Sequence, residues 1–234
     1  MLSNKRILVV VAHPDDELLG LGATMHKLIK EQNVTARAVI LGEGITSRAD
    51  IRDPKLWEKE LEVHRGNIEK ARKIIGYESV GIYNFADNRF DSHDLLDIVK
   101  VVEKEKQNFK PEIIFTHNGS DLNIDHQLTF QAVVTATRPM EDEIVRTIIS
   151  FETPSATEWQ ANSKADRFSP NFFMEVTEED IKAKINAMAC YEFETRPFPH
   201  PRSSKALQVI AQNRGLQVGC EFAEAFQIIR TIIK

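Results

Sequence analysis

Apolar residues in this chain follow two patterns that alternate along its length. Continuous apolar or β-branched runs predict strands at residues 7–12, 34–41, 79–85, 111–117 and 144–152. Between them, apolar residues recur at helical spacing and predict helices over 18–29, from Asp53-Pro54 to Gly76, over 94–109 and over 125–138. Strands that alternate with helices indicate an α/β protein, with a mostly parallel sheet covered by helices on both faces.

The pattern changes after residue 150. A polar loop is followed by a short strand at 171–176, a helix opened by the capping signal Thr177-x-x-Asp180, and a helix running from Ser203 towards Gly215. Three prolines within 196–202 predict a stiff, irregular loop before that last helix. No internal repeat or flexible linker divides the chain. We therefore expect a single domain over 1–234, with a core at 1–150 and a C-terminal elaboration at 151–234.

The composition narrows the class of protein. Hydrophobic residues make up 42% of the chain and charged residues 28%, which is typical of a soluble globular protein and excludes disorder. The net charge of -5 and the absence of a basic stripe argue against a nucleic-acid partner. Cys190 and Cys220 form no CxxC pair, so neither a disulfide framework nor a thiolate zinc site is expected. No apolar run is long enough for a signal sequence or a transmembrane helix, which predicts a cytoplasmic protein.

A first cluster of polar residues, His13-Pro14-Asp15-Asp16-Glu17, lies directly between the first predicted strand and the first helix. Open α/β sheets bind their ligands at the carboxyl ends of parallel strands, so this position favours a functional role. One of the two adjacent aspartates can bind a metal while the other remains free as a base. The alternative is that the carboxylates only complement the dipole at the helix N-terminus.

A second cluster runs from His117 to His126, again between a strand and a helix, and contains two histidines and two aspartates. Nitrogen and oxygen donors in this proportion suit a borderline metal better than Mg²⁺ or Ca²⁺. His13, Asp16 and His126 would form a three-ligand site with an open fourth position, which is the pattern of catalytic zinc. The alternative is that the aspartates serve only in Asx turns and as helix caps.

These two motifs resemble the PIG-L or LmbE-like family of zinc-dependent N-acetylglucosamine deacetylases. The likeness rests on His13-Pro-Asp-Asp-Glu17 together with the later Asp125-His126, and it extends to segments 42–48, 87–91, 152–159 and 200–203. The resemblance implies a Rossmann-like sheet, one Zn²⁺ per chain bound by His13, Asp16 and His126, and Asp15 as the general base. We expect the C-terminal elaboration to complete the pocket.

One residue departs from the family pattern. Many members have His-Pro-Asp-His in the second motif, where the first histidine assists the developing oxyanion, but Asn123 stands at that position here. Its amide can donate a hydrogen bond but carries no charge. His200, on the proline-rich loop, is a candidate cation that would compensate, although it is equally compatible with a surface position in a turn. Asp125 is expected to orient an imidazole or to support Asn123.

Charged residues beyond the strands are candidates for substrate binding. Arg48, Arg89, Asp91 and Arg202 flank the motifs on loops expected to surround the pocket, and each is also compatible with a solvated loop position. We predict a hydrolase that removes an N-acetyl group from a small-molecule amino sugar or its conjugate by attack of a metal-bound water. The alternatives are a metal-dependent phosphoesterase and a zinc-retaining binding protein with little turnover. The sequence is also compatible with a homo-oligomer.

Overall fold

A computed structural model of the chain describes residues 1–160 and 167–233. Its sheet contains seven strands: β1 (Arg6–Val11), β2 (Thr35–Gly42), β3 (Ser79–Phe85), β4 (Ile113–His117), β5 (Thr147–Phe151), β6 (Phe172–Glu175) and β7 (Ala223–Thr231). Their spatial order is β3-β2-β1-β4-β5-β7-β6. Strands β1 to β5 are parallel, whereas β7 runs antiparallel to both β5 and β6. The predicted mostly parallel α/β architecture is confirmed.

Strand β7 is absent from the sequence prediction because its pattern is interrupted by a buried acid. Glu224 lies in the second position of the strand and is only 5% exposed. Its carboxylate receives a 2.6 Å hydrogen bond from the buried ammonium of Lys184, and it also accepts the backbone N–H of Thr24. The charge is neutralised by a residue 40 positions away, a relationship that a local apolar pattern does not contain.

The helices in the described residues are α1 (Asp16–Leu19), α2 (Gly22–Glu31), α3 (Glu58–Ile75), α4 (Leu95–Phe109), α5 (Ile124–Ala136), α6 (Glu178–Met188) and α7 (Ser204–Val218). The single helix predicted over 18–29 is wrong, because the helix is interrupted between α1 and α2. Gly20 lies at this break, and a Cβ there would be 2.2 Å from the ring of Phe151. Close approach of the backbone to that ring requires glycine.

Local sequence signals predict two of three helix starts correctly. The start predicted at Asp53-Pro54 is wrong, because these residues form a turn in which Asp53 accepts the N–H of Lys55 through its side chain and that of Leu56 through its carbonyl. Helix α3 begins five residues after Asp53, at Glu58. The predicted caps are confirmed: Thr177 forms a capping box with Asp180, and the Ser203 hydroxyl accepts the N–H of Ala206.

The strand order creates a crevice between β1 and β4. The chain moves from β1 outwards to β2 and β3, then returns to place β4 on the other side of β1. Loops that leave the carboxyl ends of β1 and β4 therefore diverge, and this is where α/β sheets bind ligands. The two predicted motifs follow these two strands, so the topology brings them together. None of the helices in the described ranges is long and apolar enough to cross a membrane.

Candidate active site

A pocket of about 320 Å³ opens at the carboxyl ends of β1 and β4. The segments after β1, β2, β3, β4 and β5 all contribute to its wall, as does the loop that precedes α7. The lining residues include His13, Asp15, Ser47, Arg48, Asp87, Asn88, Asn123, Ser155, Trp159, Glu194, Arg196, His200 and Arg202. Three carboxylates and three guanidinium groups thus face one small volume.

Three side chains, of which His13 lines this pocket, have the geometry of a candidate metal site. Donor atoms of His13, Asp16 and His126 all lie within 4.8 Å of one another. Asp16 Oδ2 is 3.4 Å from His13 Nδ1 and 3.4 Å from His126 Nε2. The second oxygen, Oδ1, is buried and has no hydrogen-bond partner in the described part of the chain. A buried carboxylate oxygen without a donor is costly in a protein interior, and a cation would satisfy it.

Carboxylates lie next to the ring nitrogens of His13 and His126 that do not face Asp16. His13 Nε2 is 2.9 Å from Asp125 Oδ2, and Asp87 Oδ1 lies 3.4 Å from the same nitrogen. His126 Nδ1 is 3.4 Å from Asp121 Oδ1, an ion-pair distance, and has no hydrogen-bond partner in the described residues. With these nitrogens protonated, His13 Nδ1 and His126 Nε2 present lone pairs towards Asp16. Such carboxylate-to-imidazole contacts orient the ligands of protein metal sites.

The charges of this cluster support the same interpretation. Burial would raise the pKa of Asp16, but the positive charge of His126 outweighs it and holds the pKa well below its usual range. Burial opposes charging of His126, yet Asp16 and Asp121 raise its pKa to about 9, and Asp125 with Asp16 raises the pKa of His13. Without a metal, protons on these rings supply the positive charge that a divalent ion would replace.

His117 is a neighbour of the candidate metal site, and described residues contact both of its ring nitrogens. Its ring stacks on that of His126, with centroids 3.8 Å apart. The backbone N–H of Ala12 donates to its Nε2 at 3.0 Å, and its Nδ1 lies 3.2 Å from the Thr153 hydroxyl. Burial and the charge of His126 lower its pKa to about 4, so it is neutral. His117 therefore supports His126 rather than serving as a ligand.

Asp15 lies in the wall of the pocket with a strained backbone. Its φ is 106°, in the region that favours glycine, and its backbone N–H donates to Glu17 Oε2. The carboxylate is buried, and Oδ2 accepts a 2.9 Å hydrogen bond from Arg202 Nη1. Burial raises the pKa of Asp15 well above its usual range, although the charge of Arg202 opposes it. Strained, buried acids of this kind are typical of catalytic sites.

The four residues predicted to bind substrate separate into two groups. Arg48 and Arg202 line the pocket, but both are already paired with Glu194, at 2.6 and 2.9 Å. Arg89 and Asp91 are exposed and do not line the pocket, because the short 3-10 turn at Phe90–Ser92 directs them away from it. The structure therefore brings only the two paired arginines to the site.

The predicted oxyanion residues, Asn123 and His200, both line the pocket. Asn123 caps α5, since its Oδ1 accepts the N–H of Asp125, and its Nδ2 donates to Asn88 Oδ1. His200 Nδ1 accepts the N–H of Arg202. Burial and the charges of Arg202 and Arg196 lower its pKa, so this ring is an uncharged donor at neutral pH rather than the expected cation.

Several residues that build the site were not singled out for these roles from the sequence. Asp121 orients His126, Asp87 lies beside His13, and Glu194 pairs with two arginines. Arg196 lines the pocket, donates to the carbonyls of Phe193 and Thr195, and pairs with no carboxylate in the described part of the chain. Asp121 had a local signal in its place within the second motif, and Asp87 had one in segment 87–91. The others are brought to the site by the tertiary fold.

Comparisons with known proteins are consistent with this geometry. The family described as PIG-L, GlcNAc-PI de-N-acetylase, matches residues 8–137. The Escherichia coli (strain K12) protein named "Uncharacterized deacetylase YaiS" is 29% identical over 192 residues, which is 80% of this chain and 91% of that protein. The Bacillus anthracis protein named "Probable N-acetyl-alpha-D-glucosaminyl L-malate deacetylase 2" is 23% identical over 195 residues, 82% of each chain.

The fold also matches a protein with a different reaction. The crystal structure of GalB, the 4-carboxy-2-hydroxymuconate hydratase from Pseudomonas putida KT2440, superposes with a TM-score of 0.74 and 21% identity over 98% of each chain. A hydratase thus shares this architecture. Since the fold alone does not determine the reaction, the side chains of the site have to carry the functional interpretation.

Proposed function

Because the chain belongs to the PIG-L family of de-N-acetylases, we propose that it is a metal-dependent hydrolase that removes the N-acetyl group from an amino sugar or an amino-sugar conjugate. The observation that carries this proposal is the buried carboxylate of Asp16. It lies between two imidazoles whose other nitrogens face carboxylates, and one of its oxygens has no partner in the described residues.

The donor set fits one divalent ion. Two neutral imidazoles and one carboxylate suit Zn²⁺ or another borderline metal, and three protein ligands leave a position open for chemistry. When bound, such an ion supplies polarisation of an amide carbonyl and a lowered pKa for water at the site. A second group of donors, His13, Asp87 and Asp125, shares His13 Nε2, which already contacts Asp125. We therefore propose one Zn²⁺ per chain.

We propose that Asp15 is the residue that moves the proton. It is adjacent to Asp16 in the chain and lines the pocket, where its Oδ2 accepts a hydrogen bond from Arg202. In the proposed hydrolysis, Asp15 accepts a proton from water as the water oxygen bonds to the acetyl carbon. It then returns the proton to nitrogen as the carbon–nitrogen bond breaks, and acetate and a free amine are released. A carboxylate within hydrogen-bond reach serves both steps.

The pocket favours a substrate with a negatively charged substituent. Arg196 lies in the wall without a carboxylate partner in the described ranges, in contrast to Arg48 and Arg202. Guanidinium groups bind carboxylates and phosphates through paired hydrogen bonds. The malate conjugate in the name of the Bacillus anthracis relative supports an anionic group on the sugar. We propose an N-acetylated amino sugar linked to a phosphate or a carboxylate.

The proposal is tested by release of primary amine and acetate from a panel of N-acetylhexosamines, free and linked to nucleotide, carboxylate or lipid, with and without a chelator. We expect release that the chelator abolishes and added Zn²⁺ restores. The absence of chelator-sensitive release from every member would contradict the deacetylase. Chelator-sensitive release of phosphate, with the acetamide intact, would favour the phosphoesterase alternative.

A further inference from the structure

One short turn, residues 153–157, contacts the side chains behind both halves of the candidate site. It directly follows β5. The Thr153 hydroxyl lies 3.2 Å from His117 Nδ1, and the Thr157 hydroxyl donates to Asp121 Oδ2 at 2.9 Å. Between them, Ser155 Oγ accepts a 2.8 Å hydrogen bond from Arg202 Nε. The turn therefore contacts His117 and Asp121, which lie beside His126, and it also contacts Arg202, which pairs with Asp15.

The direction of the hydrogen bond to Asp121 is determined by the turn itself. The backbone N–H of Thr153 donates to Thr157 Oγ1 at 2.8 Å, so the Thr157 hydroxyl proton is free to point at Asp121. Asp121 Oδ1 accepts the N–H of Asn123 and lies 3.4 Å from His126 Nδ1. With both oxygens engaged, the carboxylate has one orientation towards the imidazole. Thr157 thus influences His126 through Asp121.

The second connection runs through Arg202. Its Nε donates to Ser155 Oγ, while its Nη1 donates to Asp15 Oδ2 and to Glu194 Oε2, each at 2.9 Å. A guanidinium is planar, so a hydrogen bond at Nε helps to set the direction of Nη1. Ser155, which itself lies in the wall of the pocket, therefore influences the carboxylate of Asp15 through Arg202.

Ser155 has a backbone conformation that is unusual for a residue with a side chain. Its φ is +76°, which is strained for a residue with a side chain and natural for glycine. Strain of this kind persists where the surrounding structure imposes it. The hydroxyl that the strained position carries is the one that contacts Arg202.

We propose that the 153–157 turn is a single positioning element for the site, in which Thr157 orients the metal ligand His126 through Asp121 and Ser155 orients the base Asp15 through Arg202. The inference rests on the proposed function. It makes Thr157 and Ser155 positioning residues with separable effects, one on metal affinity and one on turnover.

The Thr157 arm is tested by titrating metal-free protein with Zn²⁺ in competition with a chromophoric chelator. Thr157→Val keeps the shape of the side chain and removes the hydroxyl, and we expect Zn²⁺ affinity to fall by about tenfold or more, the usual range for partners of metal ligands. Thr157→Ser retains the hydroxyl and restores most of the affinity. The matched control is Thr137→Val, which removes a buried hydroxyl bonded to Val133 O at the opposite end of α5 and leaves Zn²⁺ affinity unchanged.

The Ser155 arm is tested by Ser155→Gly, which removes the hydroxyl and also relieves the positive φ. We expect kcat to fall by about tenfold, because the base is no longer aligned, while Zn²⁺ affinity and the melting temperature do not fall. Loss of stability together with loss of kcat would instead indicate a purely structural turn and would overturn the inference for Ser155.

The outcomes separate this inference from the proposed function. Wild-type protein that binds Zn²⁺, combined with unchanged affinity in Thr157→Val or unchanged kcat in Ser155→Gly, overturns the positioning role alone. Wild-type protein that binds no Zn²⁺ overturns the proposed function and this inference with it.

Discussion

Arg202 donates a 2.9 Å hydrogen bond to the carboxylate of Asp15, although 187 residues separate them in the chain. The acid follows the first strand, and the arginine lies on the loop before the last helix. This contact compensates a buried carboxylate that would otherwise be expensive to ionise. It also joins the C-terminal part of the chain to the motif at its N-terminal end.

Asp15→Asn is expected to separate metal binding from turnover. The amide has nearly the same shape, so the three ligands nearby should still bind Zn²⁺, but an uncharged amide does not accept the proton of water. We predict unchanged metal content and a loss of about 100-fold or more in kcat. Amine release and elemental analysis on the same sample provide the check. Activity close to that of wild type would remove Asp15 from its role as the base.

Asn123→Ser is the sharpest test of the oxyanion assignment. Serine is as good a helix N-cap as asparagine, so α5 should stay capped while the amide donor is lost. We expect kcat and kcat/KM to fall together by about 100-fold, the usual effect of one oxyanion donor, with folding and metal content preserved. His200→Ala is the comparison. If it abolishes turnover while Asn123→Ser is nearly as active as wild type, the oxyanion donor is His200.

Arg196→Gln should act on binding of the charged substituent. The side chain has no carboxylate partner in the described ranges, so its charge is available to an anion on the substrate. We predict about a tenfold rise in KM for an anionic conjugate, little change in kcat, and no change in either constant for the free N-acetylated sugar. Equal effects on the charged and the neutral substrate would exclude a role in recognising the anion.

His64 should make the folded state sensitive to acid. The structure buries this α3 side chain to 2% exposure, and neither ring nitrogen has a partner in the described residues. Burial and the charge of Arg48 lower its pKa to about 4. The folded state therefore disfavours the charged ring. The associated stability is fully present above the unfolded pKa of about 6.5 and is lost as pH falls towards 4.

The measurement is the free energy of unfolding between pH 7 and pH 4. His64→Leu removes the titrating group and should flatten the profile by up to about 3 kcal/mol relative to wild type. Asn67→Leu is the matched control, since Asn67 is similarly buried on the same face of α3 but carries no titratable group. A profile for His64→Leu that is as steep as that of wild type would contradict the assignment.

The parts of the structure that depend on local order are those that the sequence predicts. Continuous apolar or β-branched runs predict β1 to β5, and the short strand predicted at 171–176 corresponds to β6. The cap signals at Thr177 and Ser203 lie at helix starts, as expected. The meeting of the two motifs also follows from the sequence, because parallel strands place their carboxyl ends at one edge. His13 and His126 lie together for that reason.

The parts that depend on contacts between distant residues are those that the sequence does not predict. The break at Gly20 comes from the ring of Phe151, and the burial of Glu224 in β7 requires Lys184. The same holds within the site. Arg202 forms ion pairs with Asp15 and Glu194, so its charge is less available to substrate than the sequence suggests. Periodicity and motif spacing carry no information about such partners.

The central claim, that His13, Asp16 and His126 bind one catalytic divalent ion, is tested most directly by the metal content of purified protein after supplementation with Zn²⁺ and dialysis. We predict about one ion per chain in the wild type, and loss of that ion in His13→Ala, Asp16→Ala and His126→Ala, each of which remains folded by circular dichroism. Wild-type protein without bound metal, or full retention in all three variants, would contradict the account.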